Sequence, residues 1–287
     1  MKCINTDISK NNKRIINESI EYAKIEYPKV NVEGVWVCVG SRATNINHNN
    51  SDIDLLFFSE ELSAFNRFVG NCNSIRVSVC AAPITLLDQD SREGTCGGYF
   101  AAKLISPYYL VGSGSLQKNI ISAPANYFYP YISYIAQKNE IKLSIELVTS
   151  IAIISFMNIC PEYESFFLKH YINDNFLKIW DLTTQQFEQS MKQANIRLND
   201  FIKPDDNVKN HIVFKDFQEL HRDSASRMAK HCSFCIKTHN LDVNFYQEYS
   251  DKSKKFINKH GGYNGDKYKN MINFLTKTSG LRSIDIK

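Results

Sequence analysis

The chain has 287 residues, a formal net charge of +4, 43% hydrophobic residues and eight cysteines. That length suits one large or two ordinary domains with ample core, and the composition is that of a soluble globular protein. Met1-Lys2-Cys3 leads into polar, asparagine-rich sequence, and the longest apolar stretch, Leu143 to Cys160, is interrupted by Glu146, Thr149, Ser150, Ser155 and Asn158. Both features predict a cytoplasmic protein with no signal peptide and no membrane span. The cysteines are scattered, several inside apolar strands, which predicts reduced core thiols and no disulfide framework. Asp7 to Tyr27 is the first helical pattern, with Ile16, Ile20, Ala23 and Tyr27 on one stripe and Pro28 ending it; it should pack on the first strand.

Val35 to Val39 is that strand, and Gly40-Ser41 breaks it with a residue suited to φ > 0 beside a small hydroxyl. Ten residues later Asp52-Ile53-Asp54 runs into Leu55-Leu56-Phe57-Phe58. On a strand, alternation puts Asp52 and Asp54 on one side and turns Ile53 and Leu55 to the core. Two carboxylates at that spacing suit a divalent metal, Mg²⁺ or Mn²⁺, and the Gly-Ser turn offers N–H groups and a hydroxyl to a phosphate.

Val39, Gly40, Ser41, Asp52, Ile53, Asp54 and Leu55 together resemble the motif of the nucleotidyltransferase superfamily related to DNA polymerase beta. Arg42-Ala43 and Ser51 extend the match to its small bacterial branch of minimal and aminoglycoside-type nucleotidyltransferases. Asn45 stands where that family usually has glycine, and Asn tolerates the left-handed region next best. The resemblance implies an α+β fold, a small mixed-sheet core over residues 1–106 followed by a helical domain over 107–287. It implies transfer of a nucleoside monophosphate from an NTP to a hydroxyl of a small molecule, a protein or a tRNA, with pyrophosphate released. Asp52 and Asp54 would then be catalytic and hold Mg²⁺ (or Mn²⁺), while Gly40, Ser41, Arg42 and Ser51 would bind the nucleotide.

Further along, Ser59 reads as the N-cap of a helix bearing Leu62, Phe65, Phe68 and Val69 and closed by Gly70-Asn71. A third strand follows over Ser74 to Cys80. Most catalytic members of the family carry a third Asp or Glu there. Here Ile75, Val77 and Val79 make one apolar face, and Ser74, Arg76 and Ser78 the other. Arg76 is a candidate triphosphate contact, and Asp88, Asp90 and Glu93 lie beyond the strand. The missing acid supports a competing reading, a catalytically degenerate nucleotide- or partner-binding module such as half of a toxin-antitoxin pair.

Gly97-Gly98 predicts a loop feeding a helix that carries Lys103, which by the resemblance is the candidate for holding the β- and γ-phosphates. The tyrosines around Pro124 and Pro130 read as a linker or domain seam, where aromatic packing or a stacked base is expected. Glu140 to Asn158 reads as a long helix with Glu146 in apolar surroundings; Glu140 or Glu146 is a candidate general base, as a helical-domain Glu is in the aminoglycoside branch. Amphipathic helices are expected over 162–195, 215–240, 244–260 and 266–278. His231, Cys232, Cys235 and His239 read as a half-buried helical stripe and not as a zinc site. Ser250 to Lys287 holds nine Lys/Arg against three acids, a basic face that can meet RNA, an acidic partner or nucleotide phosphates.

Overall fold

Among the described residues five strands form a mixed sheet, in whose interior the two strands read from the motif lie side by side. The computed structural model describes residues 8–49, 51–112, 114–138, 140–160, 162–204 and 243–278. Strands β1 (Val35–Val39), β2 (Ile53–Ser59), β3 (Asn66–Cys72), β4 (Ile75–Pro83) and β5 (Tyr109–Gly112) lie in the order β3-β4-β2-β1-β5. Only β2 and β4 run parallel; the other pairs are antiparallel. The described helices are α1 (Lys10–Glu26), α2 (Ile84–Glu93), α3 (Tyr99–Lys103), α4 (Gly114–Lys138), α5 (Ile145–Ile159), α6 (Glu162–Ile172), α7 (Phe176–Gln193), α8 (Val243–Lys259) and α9 (Asp266–Thr278). The chain is thus α+β with a helical C-terminal region, as expected, and among the described residues no helix is long and apolar enough to cross a membrane. The sheet continues past residue 106, since β5 adds to the β1 edge.

Both faces of the sheet are buried. Ile16, Ile20 and Ala23 of α1 cluster with Trp36, Cys38, Ile53, Leu55, Phe57, Val77 and Val79 on one face. The residues of opposite parity, Val35, Val37, Val39, Leu56 and Phe58, join the large core of the helical side. Alternation therefore does not give this sheet a wet face. Asp54 shares the parity of Leu56 and Phe58, so it points toward the helices.

Two local expectations are corrected. The segment read as a helix after β2 is the edge strand β3, joined to β4 by the two residues Asn73 and Ser74 at φ 48° and 65°. Positive φ at both central positions is the geometry of a tight hairpin turn, and it overrides the helical spacing of Leu62, Phe65 and Phe68. Phe68 instead stacks on Tyr27 with ring centroids 4.5 Å apart. Ser59 is no helix cap: it ends β2, and its hydroxyl donates to the Glu33 carbonyl at 2.6 Å. Pro124 and Pro130, read as a linker, both lie inside α4. The disrupted backbone is compensated by packing, since the Ala125 N–H donates to Ser190 Oγ of α7 at 2.9 Å.

The helix expected over Glu140 to Asn158 is α5, which begins only at Ile145 and is capped by Ser144, whose hydroxyl accepts from the Leu147 N–H at 3.2 Å. The five described cysteines, Cys38, Cys72, Cys80, Cys96 and Cys160, are all free thiols. The stripe from His231 to His239 and the helix expected over 215–240 lie outside the described residues.

Ser74 holds a left-handed conformation that glycine adopts without a Cβ penalty. Ser74→Gly is expected to stabilise the chain by about 0.5–1 kcal/mol, read as a higher urea midpoint at unchanged slope. A lower midpoint would show that this turn does not have the described geometry.

Candidate functional site

The turn after β1 is closed by local bonds. Gly40 sits at φ 78°, Asn45 at 59°, and the Ile46 N–H donates to the Ser41 carbonyl at 3.0 Å. The segment is a compact turn, not the start of a helix. Asn45 takes the left-handed place expected of it and uses its side-chain oxygen to accept from the Ser9 N–H at 2.9 Å and from Asn12 Nδ2 at 3.1 Å. Asn12 Nδ2 also reaches the Arg42 carbonyl at 3.1 Å and Asn47 Oδ1 at 2.7 Å. The N-terminus of α1 thereby clamps the turn from below.

Arg42 does not stand where a nucleotide ligand would. Its side chain is 1% exposed, and Nε and Nη2 donate to the Ser51 carbonyl at 3.1 and 2.8 Å, with Nη2 also 3.3 Å from the Asn49 carbonyl. The guanidinium ties the Gly-Ser turn to the residue just ahead of Asp52. Burial pulls its pKa down, opposed by the thiol of Cys38 and the carboxylate of Asp52. Ser51 is likewise internal to the loop, its hydroxyl accepting from the His48 N–H at 2.8 Å.

Above this turn opens a cavity of about 380 Å³. Its sheet-side wall holds Gly40, Ser41, Asp54, Ser78 and Cys80; its helical wall holds Lys103, Tyr163, Phe166, Lys169, Lys252 and Phe256. Asp54 lies close under Gly40, where an added Cβ would stand 3.5 Å from Asp54 Oδ2. Register explains the neighbours: Asp54 pairs with Val39 across β1 and with Ser78 across β4. The position beside Asp54 is therefore a hydroxyl, with the Cys80 thiol two residues on. The Cys38 thiol, on the opposite face, is pushed up by burial, and the Asp54 charge adds to the shift.

The remaining candidates divide clearly. Gly40, Ser41, Asp54 and Lys103 are brought together around the cavity. Asp52 is half-buried one residue ahead of β2, beside Arg42, and does not line the cavity; strand alternation does not reach it. Arg76 lies one residue before the β2–β4 ladder begins and also stays out of the wall. Glu146 is exposed in the first turn of α5, not in apolar surroundings, and neither it nor Glu140 lines the cavity. An acid at the first turn complements the helix dipole there.

Lys103 is buried, not the ordinary surface lysine its type predicts. It is 8% exposed, with Nζ 4.6 Å above the Tyr99 ring and 6.0 Å from that of Tyr163. Sequence reasoning missed Lys169, whose helix carries only an ordinary amphipathic pattern; Lys252 belongs to the basic stretch from Ser250 on, which reads as able to meet nucleotide phosphates but does not by itself point to this cavity. Helix α8 is docked on α6 at the cavity by a bond from the Ser165 N–H to Ser253 Oγ at 3.2 Å. Glu164, between two lining residues, is turned away and accepts from the Tyr263 hydroxyl at 3.1 Å. Among the described residues that line the cavity, Asp54 is thus the only carboxylate, against three lysines.

Asp90, one of the three acids beyond the third strand read from the sequence, does not line the cavity. It instead lies fully buried on α2, where Oδ1 accepts from the N–H groups of Cys96 and Gly98 at 2.8 Å each, and Oδ2 from those of Phe100 at 2.9 Å and Ala101 at 3.3 Å. Asp88 accepts from Asn119 Nδ2 at 3.0 Å.

No family model matches the chain, and no curated protein matches it either.

Burial pushes the Asp90 carboxyl up to about 6, against the four N–H donors that pull it back. A folded-state pKa above the unfolded one means that the fold favours the protonated acid. The associated stability is full below the unfolded value and lost as pH rises through about 6. The stability of wild type relative to non-titrating Asp90→Asn is expected to fall by about 2 kcal/mol between pH 4 and 7, measured by urea unfolding at each pH. A difference that is flat, or that grows with pH, would contradict this.

Proposed function

We propose that the cavity binds a nucleoside triphosphate and that the chain transfers its nucleoside monophosphate to an acceptor hydroxyl. The observation that carries the reading is the meeting of the Gly40-Ser41 turn and Asp54 with three lysines, Lys103, Lys169 and Lys252, around one cavity. Lysines are point charges suited to phosphate oxygens, and a recessed site of one sign strengthens their field. Tyr163, Phe166 and Phe256 supply apolar surface for a base or sugar.

The donors present fit Mg²⁺. Asp54 offers hard carboxylate oxygens beside the turn; Asp52, two residues back in sequence, stays out of the cavity wall, and no cluster of three or more candidate ligands occurs among the described residues. One or two carboxylates suffice for Mg²⁺ when substrate phosphates and water complete the shell, so Asp54 would carry the chain's share. When bound, the ion would offset phosphoryl charge and lower the acceptor's pKa. In the transfer itself, the acceptor oxygen bonds to the α-phosphorus, the bond to the bridging oxygen breaks, pyrophosphate leaves and the acceptor proton is released. The chain's part is to hold the triphosphate at Ser41, to neutralise it with the lysines and to align it for in-line attack.

Ser78 favours a second reading. Its register beside Asp54 puts a hydroxyl where catalytic relatives of the resembled family carry an acid, and a site so built binds triphosphate without a general base on β4. Pyrophosphate release and equilibrium NTP binding separate the two. With NTP, Mg²⁺ and cell extract as the acceptor source, wild type is expected to release pyrophosphate, and Asp54→Asn to lose about 100-fold or more of that rate. Tight NTP binding with no release from any acceptor pool selects the binding module, and absence of NTP binding rejects both.

A further inference from the structure

Lys103 is the last residue of a five-residue helix, too short to hold itself in place. Bonds on both sides hold it: after it, Gln186 Nε2 of α7 donates to the Leu104 and Ser106 carbonyls at 2.9 Å each, and before it lies a tightly wound loop. Gly94, Gly97 and Gly98 all lie at positive φ, 65°, 66° and 80°, so the backbone between α2 and α3 curls around a single point. That point is the Asp90 carboxylate, whose two oxygens take four backbone N–H groups, two in the loop and two in the first turn of α3. A second contact closes the loop from outside: the Tyr127 hydroxyl of α4 donates to the Gly97 carbonyl at 3.1 Å. The Tyr127 ring also occupies the space above Gly98, where a Cβ would overlap it.

We propose that Asp90 is a positioning residue for Lys103: by gathering residues 96–101 on one carboxylate it fixes where the Lys103 ammonium stands in the cavity wall. Asp90 itself does not line the cavity. Its effect on phosphate binding, which rests on the triphosphate reading, passes through Lys103 alone. Asp90→Asn keeps the size of the side chain but leaves one acceptor oxygen in place of two and turns an NH₂ group toward N–H donors, which reject it.

The test uses the full chain at pH 8 and two independent readouts. In the first, lysines are acetylated with limiting acetic anhydride and mapped by mass spectrometry. Asp90→Asn is expected to raise the labelling rate of Lys103 about tenfold while Lys169, in the same cavity, keeps its wild-type rate. Tyr127→Phe, which removes only the outer contact, is expected to raise it less. Equal Lys103 labelling in wild type and a folded Asp90→Asn variant would overturn the proposal, as would a common rise at all the cavity lysines.

Wild type alone gives a check that needs no folded variant. The amides of Cys96, Gly98, Phe100 and Ala101 should be among the slowest of the chain to exchange hydrogen, and rapid exchange there would overturn the proposal. The second readout is the affinity for inorganic tripolyphosphate. Asp90→Asn and Lys103→Gln are each expected to weaken it, and the double variant to weaken it no further than Lys103→Gln does. Additive losses would overturn the coupling. If wild type fails to bind tripolyphosphate at all, the triphosphate reading falls, while labelling and exchange still decide whether Asp90 places Lys103.

Discussion

The site depends on a buried guanidinium. Arg42 is enclosed beneath the loop between β1 and β2, and its donors end on carbonyls of that same loop. A buried cation held this way draws the end of one strand and the start of the next into a single rigid piece. Asn12 and Asn45 brace that piece against α1. The sheet register then fixes the rest: with Val39 opposite Asp54, Gly40 falls over the carboxylate and the adjacent strand offers Ser78.

The opposite wall is made by chain remote in sequence. Lys103 comes from α3, Lys169 from α6 and Lys252 from α8, and burial of the helical side against Val39, Leu56 and Cys80 brings them over the same face of the sheet. Because that core is continuous from the sheet to α9, the cavity is not an appendage of a separate N-terminal unit. Its charges are arranged asymmetrically, an acid on the sheet side and cations on the helical side, as a metal-bound polyanion would require.

The sheet-side half was legible because its signals are local. A glycine that must take φ > 0, an asparagine that tolerates it and an acid inside an apolar run each declare themselves within a few residues. Arg42 was visible in the same motif, but its role depends on where its guanidinium ends, and loop carbonyls absorb it. The edge strand was misread because Phe65 and Phe68 keep helical spacing, while Asn73-Ser74 lacks the glycine that usually announces a tight hairpin. Lys169, the place of Lys252 in the cavity wall and the proposed role of Asp90 were not legible. Each depends on contacts across tens of residues or on backbone N–H groups that no residue type reports.

The central claim is that the cavity recognises polyphosphate from both walls. Calorimetric titration of the full chain with Mg²⁺-ATP, with tripolyphosphate and with adenosine, repeated on Lys169→Gln/Lys252→Gln, tests it most directly. The account predicts that ATP and tripolyphosphate bind, that adenosine binds far more weakly, and that the double variant loses about tenfold or more in affinity for both phosphate ligands. Adenosine binding as tightly as ATP, or phosphate affinity indifferent to the two lysines, would contradict it.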